Sequence, residues 1–251
     1  MFWRFFCFAL LFVNTLLFGE YPNQCCSIPN TNPCRNFYVG FEGGWGNGLG
    51  RADRLENVGE IGLNGVTNNA HAFFGETLGA ELGWRLYSWL RTDISYSFLH
   101  HRYNWETLYP EVNHSFAYLD SHLVLWNGYL HLPGLCFMGW LDPYVGAGIG
   151  VAFNRLHEIQ EYGADGIYIS DIEPKTRSHL CGRIGGGFLF SVTRCVAFDL
   201  AFNANYMGTV SSGDTRRVLS SSTRVPFKAF DFKNNWIGTV TLGVKFSFRG
   251  F

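Results

Sequence analysis

The sequence predicts an all-β protein: an eight-stranded antiparallel transmembrane β-barrel with short periplasmic turns and long extracellular loops. Three observations lead to this prediction. From Phe37 onward, apolar residues alternate with small or ionic residues at a period of two. The segments that follow this pattern are separated by connections that are alternately long and short. Charged residues make up only 16% of the 251 residues, with 30 glycines and 18% aromatics, whereas an ordinary soluble domain carries about 25% charged residues.

The N-terminus has the features of a signal peptide. Arg4 supplies the positive charge, residues 5–18 are apolar, and Gly19 is a small residue at the expected cleavage position. The apolar stretch is shorter than the roughly 20 residues that a membrane-spanning helix needs, although an N-terminal anchor is the alternative. We expect a signal peptide over 1–19, a cysteine-bearing periplasmic segment over 20–35 and the barrel over 36–251.

The alternation assigns the two faces of each strand. The apolar face is expected to contact lipid and the small or ionic face to line the lumen, over eight strands of about nine to thirteen residues. The last strand is the clearest case, because Val240, Leu242 and Val244 alternate with Thr241, Gly243 and Lys245. The segment at Leu119 is less clear. We assign Leu119, Leu123 and Leu125 to the lipid face and Asp120 to the lumen face.

The connections alternate in length. The long ones cover 46–71, 100–114, 154–177 and 207–233, and the short ones lie near 87–89, 132–139 and 191–194. Long extracellular loops and short periplasmic turns produce this rhythm in transmembrane barrels. The stretch SSGDTRRVLSSSTR (211–224) in the last loop favours disorder. Binding residues commonly lie on loops that a rigid scaffold positions.

The glycine-rich stretch DPYVGAGIGVAF (142–153) predicts a strand and not a nucleotide-binding turn. Gly146, Gly148 and Gly150 follow a strict every-other spacing, which does not match G-x-G-x-x-G, and no helical pattern follows. The glycines therefore face the lumen, where they leave room for large side chains.

Three segments carry a family resemblance: FYVGFEGGW in the first strand, DPYVGAGIGVAF in the fifth and VTLGVKFSF in the last. In these segments the chain resembles the small eight-stranded outer-membrane barrels of the OmpA/Opa type. The resemblance implies a place in the bacterial outer membrane and a C-terminal aromatic signal that the barrel-assembly machinery reads. We assign this signal to Val244, Phe246 and Phe248, because Phe251 is out of phase with them.

The residues assigned to the lumen include nearly equal numbers of acidic and basic groups. An eight-stranded barrel is just wide enough for side chains to fill, and an unpaired buried charge costs several kcal/mol. We therefore expect a self-paired network that closes the lumen, with a narrow ion path as the alternative. The predicted network consists of Glu42, Glu81, Arg85, Arg91, Asp93, Asp120, Arg183, Asp199 and Lys245.

Six cysteines follow the predicted signal peptide, and five of them are expected at the periplasmic end: Cys25, Cys26, Cys34, Cys136 and Cys195. Disulfides persist in exported proteins, so these residues are disulfide candidates. Staples within the chain and links between chains remain equally open, since connectivity cannot be deduced from sequence. In this trait alone the chain resembles cysteine-bearing outer-membrane proteins of chlamydia-like and Legionella-like bacteria.

The pattern favours a structural or adhesin-like role without a catalytic, cofactor or metal site. The expected partners are outer-membrane lipid, the barrel-assembly machinery, other envelope proteins through disulfides and host or surface ligands through the loops. A net charge of −1 gives no reason to expect nucleic acid.

A small porin is the first alternative function, and a rim enzyme acting on lipid or peptide is the second. Asp120, Ser121 and His122 are the residues that could suggest a catalytic group. However, Ser121 is expected on the lipid face, opposite its neighbours.

Overall fold

The computed structural model describes residues 37–49, 71–72, 74–107, 113–132, 141–193, 195–226 and 229–248. Within these ranges no helix is long and apolar enough to cross a membrane. The strands are β1 (Phe37–Gly48), β2 (His71–Ala72), β3 (Gly75–Tyr87), β4 (Leu90–Thr107), β5 (Asn113–His131), β6 (Leu141–Leu156), β7 (Ile159–Tyr162), β8 (Tyr168–Ile172), β9 (Lys175–Ser191), β10 (Val196–Tyr206), β11 (Val210–Ser211), β12 (Thr215–Val218), β13 (Thr223–Pro226), β14 (Asp231–Phe232) and β15 (Trp236–Phe248).

Eight of these strands close into an antiparallel barrel, which confirms the predicted fold class. The order around the barrel is β1, β3, β4, β5, β6, β9, β10 and β15. The ring closes because β15 pairs back with β1, placing Phe248 opposite Phe37. Closure leaves no barrel edge unpaired in lipid. The barrel strands have 11 to 19 residues, so several are longer than predicted.

The predicted faces are confirmed for seven of the eight barrel strands. On β15, for example, Leu242 is 55% exposed on the outer wall, whereas Thr241 is only 3% exposed on the lumen side. An outer wall of exposed apolar side chains is what a barrel presents to lipid. Ile149 and Val151 extend this apolar wall onto β6, where the glycines point inward as predicted.

The prediction for β5 was wrong, because its two faces are exchanged. Leu119, Leu123 and Leu125 are buried inside the barrel, while Trp126 is 65% exposed on the outer wall. Asp120 alternates with the buried Leu119 and therefore faces outward, not into the lumen. The physical reason is that the lumen beside this strand is apolar, so both faces of β5 carry apolar residues. Periodicity then locates the strand without saying which face is inside.

Four barrel strands extend beyond the membrane on the long-loop side. β4, β5, β6 and β9 have 18, 19, 16 and 17 residues. β7 pairs with the upper part of β5, and β8, β12 and β13 follow in order. We call β7, β8, β12 and β13 the extracellular sheet. Much of the predicted loop 100–114 is therefore strand, and the stretch predicted to be disordered forms the hairpin β12–β13.

Candidate functional site

The periplasmic half of the lumen contains the charged residues, which pair largely with one another. Lys245 lies between two carboxylates: it contacts Glu81, and its Nζ is 2.9 Å from Asp199 Oδ2. Arg183 Nη1 lies 3.9 Å from Glu42 Oε1. Thr241 supports Glu42 by donating a hydrogen bond of 3.0 Å to its carboxylate. These contacts bring together residues that sequence reasoning placed in the lumen.

Neutral side chains complete this network, and sequence reasoning had not singled them out. Arg183 donates hydrogen bonds to Asn205 Oδ1 at 2.7 Å and to Ser97 Oγ at 2.9 Å. Asn127 donates to Asp93 Oδ1 at 2.6 Å. The alternation placed Ser97 and Asn205 in the lumen, whereas Asn127 has the phase of Leu123 and Leu125 on β5, which were assigned to the lipid face. Nothing in the sequence marked these side chains as partners of particular charges.

Arg91 occupies a cage of tyrosine rings. Its guanidinium carbon lies 5.4 Å from the ring centre of Tyr38, 4.3 Å from that of Tyr129 and 4.7 Å from that of Tyr144. A guanidinium over aromatic rings is stabilised by cation–π attraction. Within the described part of the chain, its nitrogens have no hydrogen-bond partner. Arg91 is therefore held by aromatic faces and not by the ion pair that was expected.

The cage depends on carboxylates and on the glycines of β6. Tyr144 donates a hydrogen bond of 2.7 Å to Asp199, and Tyr38 donates one of 2.6 Å to Asp93. A Cβ atom on Gly146 would overlap the ring of Tyr129, so this glycine makes the ring position possible. The glycine run therefore accommodates side chains of the adjacent strand.

Arg85 lies apart from this network, at the periplasmic rim. It donates a hydrogen bond of 3.0 Å to Asp142 Oδ2, and His131 Nδ1 is 2.8 Å from the same oxygen. A cavity of about 50 Å³ opens beside it and is lined in part by Arg91 and Lys245. A space of this size holds a few water molecules.

The extracellular half of the lumen is filled by apolar side chains, which we call the apolar plug. Two clusters of buried residues form it, and several members come from the segment that follows β10 and crosses the top of the barrel. The first cluster is Leu99, Leu123, Leu125, Ala152, Cys181, Met207 and Ile237. The second is Tyr103, Ala117, Leu119, Leu156, Ile159, Ile172, Val210, Phe230 and Phe232.

Asn235 holds that crossing segment in place. Its side-chain amide donates hydrogen bonds to the carbonyl oxygens of Gly208 at 3.0 Å and Phe232 at 2.6 Å. Tyr103 donates to Asn235 Oδ1 at 3.3 Å. The plug is therefore tied to β4 by a hydrogen bond as well as by packing.

A group of polar side chains lies on the outer wall, and we call it the outer-wall cluster: His100, Arg102, Tyr118, Asp120, Arg155 and His157. Hydrogen bonds join Asp120 to His100 Nδ1 at 2.5 Å and to His157 Nε2 at 2.7 Å. The ring of Tyr118 stacks on His100 with centroids 5.3 Å apart.

Ion pairs hold the extracellular sheet together. Arg216 Nη2 lies 2.8 Å from Glu161 Oε1, and Arg217 contacts Asp171. Burial raises the pKa of Asp171, but the hydrogen bonds from Arg217 and Tyr168 prevail and lower it. Burial and the neighbouring Asp171 raise the pKa of Glu158.

The structure separates the candidate catalytic group. Ser121 faces the lumen, contrary to the prediction, and donates a hydrogen bond of 2.7 Å to Asn154. Asp120 and His122 face outward, so Ser121 and His122 cannot form a nucleophile–base pair. Among the described residues, no three His, Cys, Asp or Glu side chains are grouped to hold a metal ion.

The remaining candidates lie at the periplasmic end or outside the described residues. Cys195 lies just before β10, at the short turn where it was expected. Cys25, Cys26, Cys34 and Cys136 lie outside the described residues. β15 ends at Phe248, which faces outward with Val244 and Phe246, in the phase assigned to the assembly signal.

A closed eight-stranded antiparallel barrel with an apolar outer wall defines this chain as an integral protein of the bacterial outer membrane. Its fold is similar to that of the outer membrane protein OprG from Pseudomonas aeruginosa, with a TM-score of 0.50 and 14% identity over 85% of this chain and 97% of that chain. It is also similar to Neisserial surface protein A, with a TM-score of 0.46 and 16% identity over 84% and 97% of the two chains. A third similar structure is Ail, the attachment invasion locus protein of Yersinia pestis, with a TM-score of 0.38 and 10% identity over 85% and 99%.

No family model matches the chain, and no curated protein matches it in sequence. At 14% identity, the likeness to OprG shows the fold alone.

Proposed function

We propose that the chain is a membrane-anchored surface protein with a structural or adhesin-like role, in which the barrel is the anchor and the extracellular sheet is the contact surface. The observation that carries this proposal is a contrast between two parts of the molecule. The extracellular half of the lumen is filled by the apolar plug, whereas all four residues of β13 are exposed. The surface offered to a partner is therefore outside the barrel.

The extracellular sheet has the rigidity that a contact surface needs. It continues the wall of the barrel through β5, and ion pairs cross-link its strands, as between Arg216 on β12 and Glu161 on β7. Arg224 on β13 lies 3.4 Å from Glu173. An ordered surface loses less conformational entropy on binding than a flexible loop does.

Surface display of the chain on a non-adherent bacterium tests this role. Cells carrying the chain should adhere to host-cell or matrix-coated surfaces more than cells with an empty vector. A variant with residues 216–225 replaced by a short glycine–serine turn should lose that adhesion. Its barrel must still change mobility on gels upon boiling, which shows that the anchor has folded. Equal adhesion of all three strains would contradict the proposal.

A small channel is the second candidate, favoured by the ionic periplasmic half of the lumen and the cavity at its mouth. Single-channel recording in planar bilayers distinguishes the two functions. The anchor role predicts no discrete conductance steps for the intact chain, because the apolar plug excludes hydrated ions. Stable steps for the intact protein would favour the channel.

We also propose that periplasmic cysteines link the chain to other envelope proteins. Cys195 supports this by its half-exposed place at the periplasmic end, whereas Cys181 is buried within the apolar plug. Envelopes should be alkylated before lysis and run on gels without reductant. High-mass bands that collapse upon reduction would support linkage, and Cys195→Ser should weaken them while Cys181→Ala should not. A single monomer band in unreduced wild type would contradict linkage.

A further inference from the structure

Arg85 and Arg91 lie directly opposite each other at the periplasmic end of the barrel. They are paired residues on β3 and β4, and the Cβ atoms of directly opposite residues are roughly 5 Å apart. Like charges in this arrangement repel each other and destabilise a sheet. A negative group that lies near both guanidinium groups would reduce this repulsion.

The cavity of about 50 Å³ beside these two arginines has a cationic wall, and we call it the mouth cavity. Arg85, Arg91 and Lys245 all line it, and none of the other described residues that line it carries a carboxylate. Arg91 is only 2% exposed, whereas Thr193, in the turn between β9 and β10, is exposed. The mouth cavity therefore opens beside this turn, and Arg91 belongs to its closed end.

The carboxylates that contact these cations lie outside the mouth cavity. Asp142 accepts a hydrogen bond of 3.0 Å from Arg85, and Asp199 Oδ2 lies 2.9 Å from Lys245 Nζ. Neither carboxylate lines the mouth cavity, and the same is true of Glu81, which also contacts Lys245. The tyrosine rings stabilise the charge of Arg91 but accept no hydrogen bond from its nitrogens within the described part of the chain. A buried polar group without a partner indicates a missing ligand or water.

Hydroxyl groups on the open side of the mouth cavity provide further donors. Thr193 Oγ1 accepts hydrogen bonds from the backbone N–H groups of Cys195 at 3.2 Å and Val196 at 3.0 Å, so its own proton is available to another acceptor. Ser191 and Ser247 place two more hydroxyl groups on the wall. The remaining lining is partly apolar, through Leu189, Val196 and Ala197. This combination fits an organic anion with a short aliphatic part.

We propose that the mouth cavity binds a carboxylate group from the periplasm, held by Arg85, Arg91 and Thr193. Guanidinium groups bind carboxylates through paired, charge-assisted hydrogen bonds. A cavity of about 50 Å³ holds about three to five water-sized groups, which matches a carboxylate with one or two carbon atoms of its stem.

The charges around the mouth cavity favour a carboxylate over a phosphate. The three lining cations are matched by the three carboxylates behind them, Glu81, Asp142 and Asp199. One added negative charge is therefore less unfavourable than the nearly two charges that a phosphate carries at neutral pH. The carboxylate comes either from a small free acid or from a peptide chain at the periplasmic surface. This site lies at the opposite end of the barrel from the extracellular sheet, so it is independent of the adhesive role.

NMR spectroscopy of the full chain in detergent micelles, with nitrogen-15 in the arginines, tests the proposal. The Nε–H signals of Arg85 and Arg91 report on an anion that binds beside them. Sodium acetate at pH 7 should shift both signals until they saturate. Sodium chloride and sodium phosphate at the same ionic strength should produce shifts several-fold smaller. A short peptide with a free C-terminal carboxylate and the same peptide with an amidated C-terminus are the second pair of probes.

Three variants locate the binding. Ala197→Leu fills the mouth cavity but leaves every charge in place, and it should weaken acetate binding at least tenfold. Arg85→Gln should weaken it about tenfold, the effect of one charge-assisted hydrogen bond, while His131 still pairs with Asp142. Lys175→Met removes an exposed cation near Asp214, on the extracellular side, and should bind acetate as the wild type does. Each variant must show the gel-mobility shift of a folded barrel, and Ala197→Val replaces Ala197→Leu if the larger side chain prevents folding.

The proposal would be overturned if acetate gave no saturable shift in the wild type, or if Ala197→Leu bound acetate as tightly. A preference for chloride or phosphate would also overturn it, since that result indicates unselective attraction of anions. Tighter binding of the free-acid peptide than of acetate, without binding of the amidated peptide, would support the site and assign its ligand to a peptide chain. Binding of acetate with exclusion of both peptides would support it and assign the ligand to a small free acid.

Discussion

Lys245 on the last barrel strand reaches inward to Asp199 on β10, with Nζ 2.9 Å from Oδ2, and Lys245 also contacts Glu81. All three side chains are at least 90% buried. Replacing Lys245 with Met would leave two carboxylates without their cation in a low-dielectric interior. We expect a loss of roughly 3–5 kcal/mol in the free energy of unfolding. Urea titration of the refolded protein in lipid vesicles, followed by the gel-mobility shift, measures it.

Lys175→Met is the matched control for this substitution. Lys175 Nζ lies 3.8 Å from Asp214, whose side chain is 74% exposed. An exposed ion pair contributes about 0–1 kcal/mol, so this variant should unfold close to the wild type. Equal losses for the two variants would show that the lumen pair is not buried as described.

The glycines of β6 provide a second prediction. A Cβ atom at Gly150 would overlap the carbonyl oxygen of Val124, which belongs to the adjacent strand backbone and cannot rotate away. Gly150→Ala should therefore destabilise the barrel by about 1–3 kcal/mol in the same urea titration. Gly128→Ala is the control, because a Cβ atom there meets no atom within 4 Å. If the two alanine variants have the same free energy of unfolding, then β5 and β6 do not approach as closely as described.

The alternation was sufficient to predict the barrel, its lipid-facing wall and most of its inward charges. It failed at Asp120 because period two defines two faces but not which one is inside. Inward charges settle that choice on β4, where Arg91 and Asp93 alternate with apolar residues. On β5 the lumen face carries Leu119, Leu123 and Leu125, since the apolar plug fills the barrel at that level.

The candidate sites were harder to predict from the sequence than the fold was. The cage around Arg91 depends on Tyr38, Tyr129 and Tyr144, which come from three different strands, β1, β5 and β6. The outer-wall cluster likewise requires the register that aligns His100, Asp120 and Arg155. Register between strands follows from packing and turn geometry across the whole sheet, and a single strand does not encode it.

The extracellular sheet should loosen in strong acid. The pKa of Asp171 is lowered in the folded chain, so its contribution to stability is present above its unfolded pKa and is lost as the pH falls through the folded value. This stability is therefore lost at pH values below about 3.9, the ordinary pKa of aspartate. Glu158 has a raised pKa, so it is protonated first and leaves the pair between Asp171 and Arg217 intact.

Pepsin cleavage near Leu219, in the turn between β12 and β13, measures this loosening between pH 5 and pH 2. Cleavage should accelerate at the acid end by more than it does on an unfolded reference peptide of the same sequence. Asp171→Asn should raise cleavage at pH 5 and flatten the pH response. A wild-type profile that follows the reference peptide throughout would show that the ion pair does not stabilise the hairpin.

The end of β15 gives a final prediction, about assembly in the cell. Phe248 is 49% exposed on the outer wall and is the last residue of the strand, opposite Phe37. Its place agrees with the role of terminal aromatic in the assembly signal, whereas residues 249–251 follow the strand. Deletion of 249–251 should therefore preserve the amount of heat-modifiable protein in outer-membrane fractions. Phe248→Ser should reduce that amount several-fold while Ser247→Ala, on the lumen side, should not. If the deletion variant fails to assemble while Phe248→Ser assembles normally, the assembly signal lies in residues 249–251 and not at Phe248.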